Sequence, residues 1–253
     1  MKTSTAHKTP LAAFLAQNPF PHPMTLGFFY REKMRAIHHV SPDAPLNDIL
    51  EVGGGRSGLA KMLYPHARIT NIDLNAEYAK EPCNLQENVT FICADATSLP
   101  FEDNSFDAVT MFDLLEHVPD HYKAVAEARR VLRPGGFLLV STPHLSWRFP
   151  YYQMLKPWCP SEDELFAEWG HVRRGYTLNQ LQELIGLRRR SYSSFINPVT
   201  ALCHDFAFSR LPGRVRRALC WLIFPITWLG YVLHRPHRRG TETASCWQRG
   251  ETT

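Results

Sequence analysis

The chain has 253 residues, 44% of them hydrophobic, and 28 Lys and Arg against 24 Asp and Glu give a formal charge of +4. That length allows one main domain with a lid or small appendage beside it, and so mild a charge argues against a broad nucleic-acid surface, so no nucleic-acid partner is expected. Six cysteines (Cys83, Cys93, Cys159, Cys203, Cys220, Cys246) stand apart, with no C-x-x-C pair and no histidine at metal-ligand spacing, which implies the reduced thiols of a cytoplasmic protein. No secretory signal is read in the first 17 residues.

Residues 1–25, with Pro10, Pro19, Pro21 and Pro23, are expected to run as an irregular arm. From Leu26 to Val40, Phe28, Phe29, Met34 and Ile37 beside Arg31, Glu32, Lys33 and Arg35 predict an amphipathic helix. It either covers a sheet edge or borders a cofactor pocket. Ile49-Leu50-Glu51-Val52 then reads as a strand that breaks into Gly53-Gly54-Gly55, and a helix over 57–64 follows, with Leu59, Met62 and Leu63 at helical spacing and Pro65 as its stop. Glycines permit the tight turn and let a ligand approach backbone N–H groups closely. The same loop also serves dinucleotide enzymes, so alone it decides little.

Arg68 to Asp73 is a second strand ending in a carboxylate about twenty residues past the glycines, where an acid can accept hydrogen bonds from both ribose hydroxyls. The alternative is a plain turn former. Val89–Cys93 is a third strand, followed by Ala94-Asp95-Ala96, and Ala108–Phe112 is a fourth, followed by Asp113-Leu114-Leu115-Glu116-His117-Val118-Pro119. A helix over 120–132 ends at the turn Arg133-Pro134-Gly135-Gly136, and Phe137–Ser141 supplies a fifth strand. Strands alternating with helices imply an α/β fold, a doubly wound parallel sheet with helices on both faces.

The succession Glu51-Val52-Gly53-x-Gly55, Asp73, Asp95-Ala96 with Leu99-Pro100-Phe101 and Ser105-Phe106-Asp107, Leu115-Glu116-His117-Val118, and Leu132-Arg133-Pro134-Gly135-Gly136 resembles the class I S-adenosylmethionine-dependent methyltransferases. The branch it is most similar to is the small-molecule group that includes the ubiquinone-type O-methyltransferases, over residues 45–145. The resemblance implies a Rossmann-like, mostly parallel seven-stranded sheet, a methyltransferase domain over 26–200, S-adenosyl-L-methionine as cofactor, and a small methyl acceptor, which docking on a membrane would favour as lipid-soluble. It places Gly53 and Gly55 along the methionine moiety, with Glu51 as an acid facing its amino group. Asp73 would hold the ribose hydroxyls beside Leu74 at the adenine, Asp95 would meet the adenine amine with Ala96 supplying a backbone donor, and Phe112 would stand near the methionine end. Ser57 replaces the family's frequent third glycine, with Gly58 after it. Upstream, Thr25 stands where ubiquinone-type enzymes carry a cofactor-contacting arginine, so that contact is not expected.

No general base is dictated by this fold, and His117, His144 and His171 are candidates because imidazole titrates near neutrality, with His117 and His171 the two carried forward. Asp113-x-x-Glu116-His117 resembles a metal-binding Glu-x-x-Glu-His run of some ubiquinone-type enzymes, with Asp in the first place; loop shaping is the alternative, and no metal is expected. His171 precedes Arg173 and Tyr176, similar to the family's entry to its late helix, and Thr177 with Gln180 forms a capping box. The aromatic stretch 146–175 is read as a substrate lid, and Arg188–Ile196 as a late strand. Residues 201–239 form a hydrophobic and basic extension. Its uncharged run Ala218–Leu233, flanked by Arg214, Arg216, Arg217, Arg235, Arg238 and Arg239, is expected to dock on an anionic membrane surface through residues 214–239, which would make the protein peripheral at the inner face of a membrane. Pro225 is expected to break its helix, and a buried helical pair or a dimer contact is the alternative. Residues 240–253 are read as a polar, flexible tail. Two competing functions are a nicotinamide-dependent oxidoreductase and a non-catalytic adaptor that keeps the cofactor fold.

Overall fold

In the computed structural model, which describes residues 8–20 and 26–251, the apolar runs become the centre of one sheet. Strands β1 (Asp48–Val52), β2 (Arg68–Asp73), β3 (Val89–Cys93), β4 (Phe106–Phe112) and β5 (Leu132–Pro143) pair in parallel, and β6 (Arg188–Phe195) and β7 (Glu242–Gln248) complete a seven-stranded sheet of order β3-β2-β1-β4-β5-β7-β6. Only β7 runs antiparallel to its neighbours. This is the expected doubly wound, mostly parallel sheet.

Each central strand is apolar on both faces because both are covered. Ile49, Ala108 and Leu139 point into one core with helices α1 (Leu11–Ala16), α2 (Leu26–Val40) and α3 (Leu59–Leu63). Their neighbours Leu50, Val109 and Leu138 point into the other, under α4 (His121–Val131) and α6 (Leu178–Ile185), with α5 (Glu162–Trp169) lying between them in sequence. The period of two along each strand divides the side chains between the cores. Helix α4 is capped by the Asp120 carboxylate, which accepts the Lys123 N–H at 3.0 Å, and α6 by the expected Thr177–Gln180 box.

Four expectations are corrected. The tail is not flexible over 242–248: β7 lies between β5 and β6, with Ala244, Cys246 and Trp247 fully buried. The sheet therefore closes through the last described strand, the domain expected over 26–200 does not end at residue 200, and residues 201–239 are an insertion between β6 and β7. A strand paired on both sides satisfies every backbone group and can afford the polar side chains of Glu-Thr-Ala-Ser, which mask it in the sequence. The arm contains α1, which buries Phe14 and Leu15 against α2; its residues 1–7 and 21–25, Thr25 among them, lie outside the described residues. Finally, Pro225 does not end its helix. Helix α7 (Pro198–Ala207) packs against α8 (Gly213–Leu233), which continues through Pro225 on its exposed side. At Gly230 the two approach closely: a Cβ there would stand 2.7 Å from Val199, and Asn197 Nδ2 donates to the Gly230 carbonyl at 3.0 Å.

Candidate active site

The C-terminal ends of β1 to β4 open onto a cavity of about 620 Å³, and its wall includes Gly53, Asp73, Leu74, Asp95 and Ala96. Gly53 and Gly55 sit at φ +70° and +47°, the left-handed region that favours glycine. Gly54 is required for a different reason: a Cβ there would fall 2.3 Å from Asn71 Oδ1 and 2.7 Å from Glu51 Cγ. Buried Asn71 donates to Asn84 Oδ1 at 2.6 Å, and Asn84 Nδ2 in turn donates to the Gly55 carbonyl at 3.0 Å. These two asparagines brace the loop from below; neither had a sequence signal beyond its position.

Asp73 caps the β2 turn, its Oδ1 accepting the Asn75 N–H at 3.1 Å, and Asp95 does the same for Thr97 at 2.8 Å. Glu51, Gly55 and Phe112 are not on the cavity wall. Glu51 lies under the loop, where its Oε1 accepts from Ser57 Oγ at 3.2 Å and from the Ala60 N–H near the start of α3 at 3.3 Å. Burial pushes this carboxyl up to about 7. Phe112 packs in the core beneath α2.

A second cavity, of about 300 Å³, adjoins the first, and Asp113 and His117 line both. Its walls are aromatic: Phe29 and Tyr30 from α2, Trp147 and Trp169 from the insertion after β5, and Phe208 after α7. Helix α2 therefore does both things considered for it, covering the sheet and bordering a pocket. The floor is acidic, formed by Asp113, Glu116 and, from the start of β7, Glu242. Sequence reading missed Glu242 with its strand, and missed Lys33, whose ammonium reaches from α2 to form a short ion pair with Asp113. A sheet ending in an antiparallel pair requires a second late strand, and that was the available signal for Glu242.

Asp113 has φ +47°, unusual for a residue with a Cβ, and is held there by its N–H to the Ser141 carbonyl at 2.9 Å and by Ser141 Oγ on Oδ1 at 2.5 Å. Burial works against this carboxylate, but Lys33 holds it below its usual range. Glu116, buried and next to Asp113, is pushed up to about 8; Glu242 is raised well above the usual range by burial and then by Asp113 and Glu116.

His117 and His171 meet edge-to-face with centroids 4.7 Å apart. Burial, then His117, push His171 down to about 4. Glu116, His117 and His171 each bring one donor atom within 4.8 Å of the others, so these are the residues that could hold a cation, while Asp113 of the same run is taken by Lys33. His144 stands apart, its Nδ1 2.7 Å from Ser146 Oγ. Arg173 clamps the loop after β4, donating to the carbonyls of Val118 at 2.6 Å and Pro119 at 2.8 Å.

Comparison with known proteins bears on the stretch of chain that forms the first cavity. A family described as "Methyltransferase domain" matches residues 50–140. A demethylmenaquinone methyltransferase of Staphylococcus aureus (strain JH9) is 44% identical over 84 residues, 32% of this chain and 35% of that protein, so the match spans about a third of the relative's length. Among solved structures, the N-methyltransferase NodS from Bradyrhizobium japonicum in complex with S-adenosyl-L-homocysteine aligns with TM-score 0.55 and 15% identity, covering 95% of this chain and 97% of that one. The [4+2]-cyclase SpnF aligns with TM-score 0.58 and 18% identity over 96% and 93%. Likeness at those identities shows the fold alone, and a cyclase and a methyltransferase share it. With the glycine loop, the strand-tip acids and the strand order in place, the matched stretch makes the assignment: residues 50–140 are a methyltransferase domain of the class I S-adenosylmethionine-dependent kind.

Proposed function

We propose that the protein transfers a methyl group from S-adenosylmethionine to a small, lipid-soluble acceptor met at an anionic membrane surface. The observation that carries the proposal is the junction of the two cavities at Asp113 and His117. It would set a ligand in the aromatic cavity next to one in the cofactor cavity, the alignment that an in-line displacement needs.

The residues present fit the cofactor: a glycine loop that a single Cβ would block, and a strand-tip carboxylate opening on a cavity of matching place and size. When bound, the cofactor supplies a methyl group activated on a sulfonium. In this reading Asp73 holds the ribose hydroxyls, Asp95 and Ala96 with Leu74 meet the adenine, and Gly53 lies along the methionine chain. Glu51 and Gly55 act by shaping the loop, and Phe112 by backing it. His117, on the rim common to both cavities, is placed to accept a proton from the acceptor, with His171 packed against its ring. The aromatic walls exclude water and match an apolar acceptor body.

The membrane part rests on α8. Its inner face (Cys220, Thr227, Tyr231) is buried, and Phe28 of α2 packs on Phe224 and Tyr231, while Trp221, Leu222 and Ile226 are 68%, 76% and 64% exposed. The sequence has no Asp or Glu between Asp205 and Glu242, and seven arginines lie in that interval. An apolar face with tryptophans and basic ends matches an anionic bilayer surface. Among the described residues no helix is long and apolar enough to cross a membrane. Helices α7 and α8 link the two features, since His204 and Phe208 line the acceptor cavity.

The test is an acceptor screen with S-adenosylmethionine labelled in the methyl group, run on lipid and aqueous extracts of the source cell. Label entering a lipid-soluble product is the expected result. A protein that binds S-adenosylhomocysteine yet labels nothing in either extract would sink the catalytic reading.

A further inference from the structure

The acceptor cavity has an unbalanced charge inventory. Three carboxyl side chains line it, Asp113, Glu116 and Glu242, and none of the described lining residues is a lysine or arginine. Lys33 neutralises Asp113. That leaves Glu116, which accepts a hydrogen bond from Thr142 Oγ1 at 3.2 Å, and Glu242, and neither is in an ion pair among the described residues. Both line the one cavity, Glu116 from the loop after β4 and Glu242 from the start of β7.

From this geometry we infer that the acceptor carries an ammonium group, seated between the Glu116 and Glu242 carboxyls with its apolar body against the aromatic walls. The inference rests on the methyl-transfer reading and names the acceptor's chemical class.

Buried carboxyls without a cation are costly, and a ligand cation supplies what the fold omits. Of the imidazoles facing the same space, that of His204 does not substitute: burial pushes it down to about 4, so it is neutral near pH 7. Trp147 and Trp169 line the same cavity with rings of the kind that attract a cation, while the Tyr30 ring already carries the Lys33 ammonium at 5.3 Å. A carboxylate or phosphate ligand would meet no positive partner on the wall and two acids on the floor.

Three probes of similar shape test this: 2-phenylethylamine, 2-phenylethanol and phenylacetate, titrated calorimetrically into the full-length protein with and without saturating S-adenosylhomocysteine, in EDTA. The amine is expected to bind about tenfold tighter than the alcohol, and the acid not to bind. Glu242→Gln is expected to cost the amine about tenfold and to leave the alcohol and S-adenosylhomocysteine unchanged. Alcohol or acid binding as tightly as the amine, no binding by any probe, or an unchanged amine affinity in Glu242→Gln would each overturn the inference. So would displacement of the amine by magnesium or zinc once EDTA is removed, which would give the carboxyls to a metal. The probe ranking uses the wild-type chain and stands if the variant fails to fold. Loss of S-adenosylhomocysteine binding by the wild type would instead strike the methyl-transfer reading, and the two failures are read separately.

Discussion

Replacing Asp73 with alanine should weaken cofactor binding by much more than it weakens the fold. Its Oδ1 is tied to the turn by the Asn75 N–H, and its Oδ2 faces the loop, 3.3 Å from where a Cβ on Gly55 would stand. Two ribose hydroxyls donating to an ionised acceptor are worth roughly 1.5–3 kcal/mol each, and water refilling the space returns part of that. A net loss of about 2–3 kcal/mol corresponds to roughly 30- to 150-fold in Kd. The turn bond contributes only about 1 kcal/mol to stability, which for a chain this long lowers Tm by about 2–4 °C. Calorimetric titration with S-adenosylhomocysteine beside a thermal melt of the free protein separates the two. An affinity within about twofold of wild type, in a variant that melts normally, would refute the ribose assignment.

Other outcomes follow from the same geometry. Liposomes with anionic lipid should float the full-length protein, and Trp221→Glu with Leu222→Glu should abolish flotation while leaving Tm unchanged; wild type that stays in the soluble fraction would remove the membrane reading. Point changes are needed because truncation after Pro212 would delete β7 and break the sheet. EDTA is expected to leave methyl transfer intact, and activity lost to the chelator and restored by magnesium or zinc would show that Glu116, His117 and His171 serve a metal. Stability should fall between about pH 6.5 and 8. Glu51 and Glu32, raised by burial to about 7, and Glu116, raised to about 8, bind more protons folded than unfolded across that window, so rising pH removes stability there. His171 and His204, lowered to about 4, act oppositely and only below about 6.5. Chemical denaturation at steps of pH reads the slope; Glu116→Gln should flatten it, and a curve rising through the window would contradict the assignment.

The fold of the cofactor half was legible in the sequence, and Gly53, Asp73, Leu74, Asp95 and Ala96 stand on one cavity wall, though Glu51, Gly55 and Phe112 do not. Its signals are local: a glycine loop, a carboxylate at the next strand tip, an apolar run on each central strand, all carried by backbone geometry that a short segment sets for itself. Thr177 with Gln180 likewise announces its helix within four residues. The acceptor half was decided by tertiary structure. Lys33 and Asp113 are 80 residues apart, and only the packing of α2 over the strand ends joins them. Glu242 looked like part of a solvated tail, because a strand paired on both sides draws its stability from neighbours far away in sequence and needs no hydrophobic pattern of its own. Pro225 sits at an exposed point of α8, and there the packing of α8's inner face outweighs the local preference that the sequence displays.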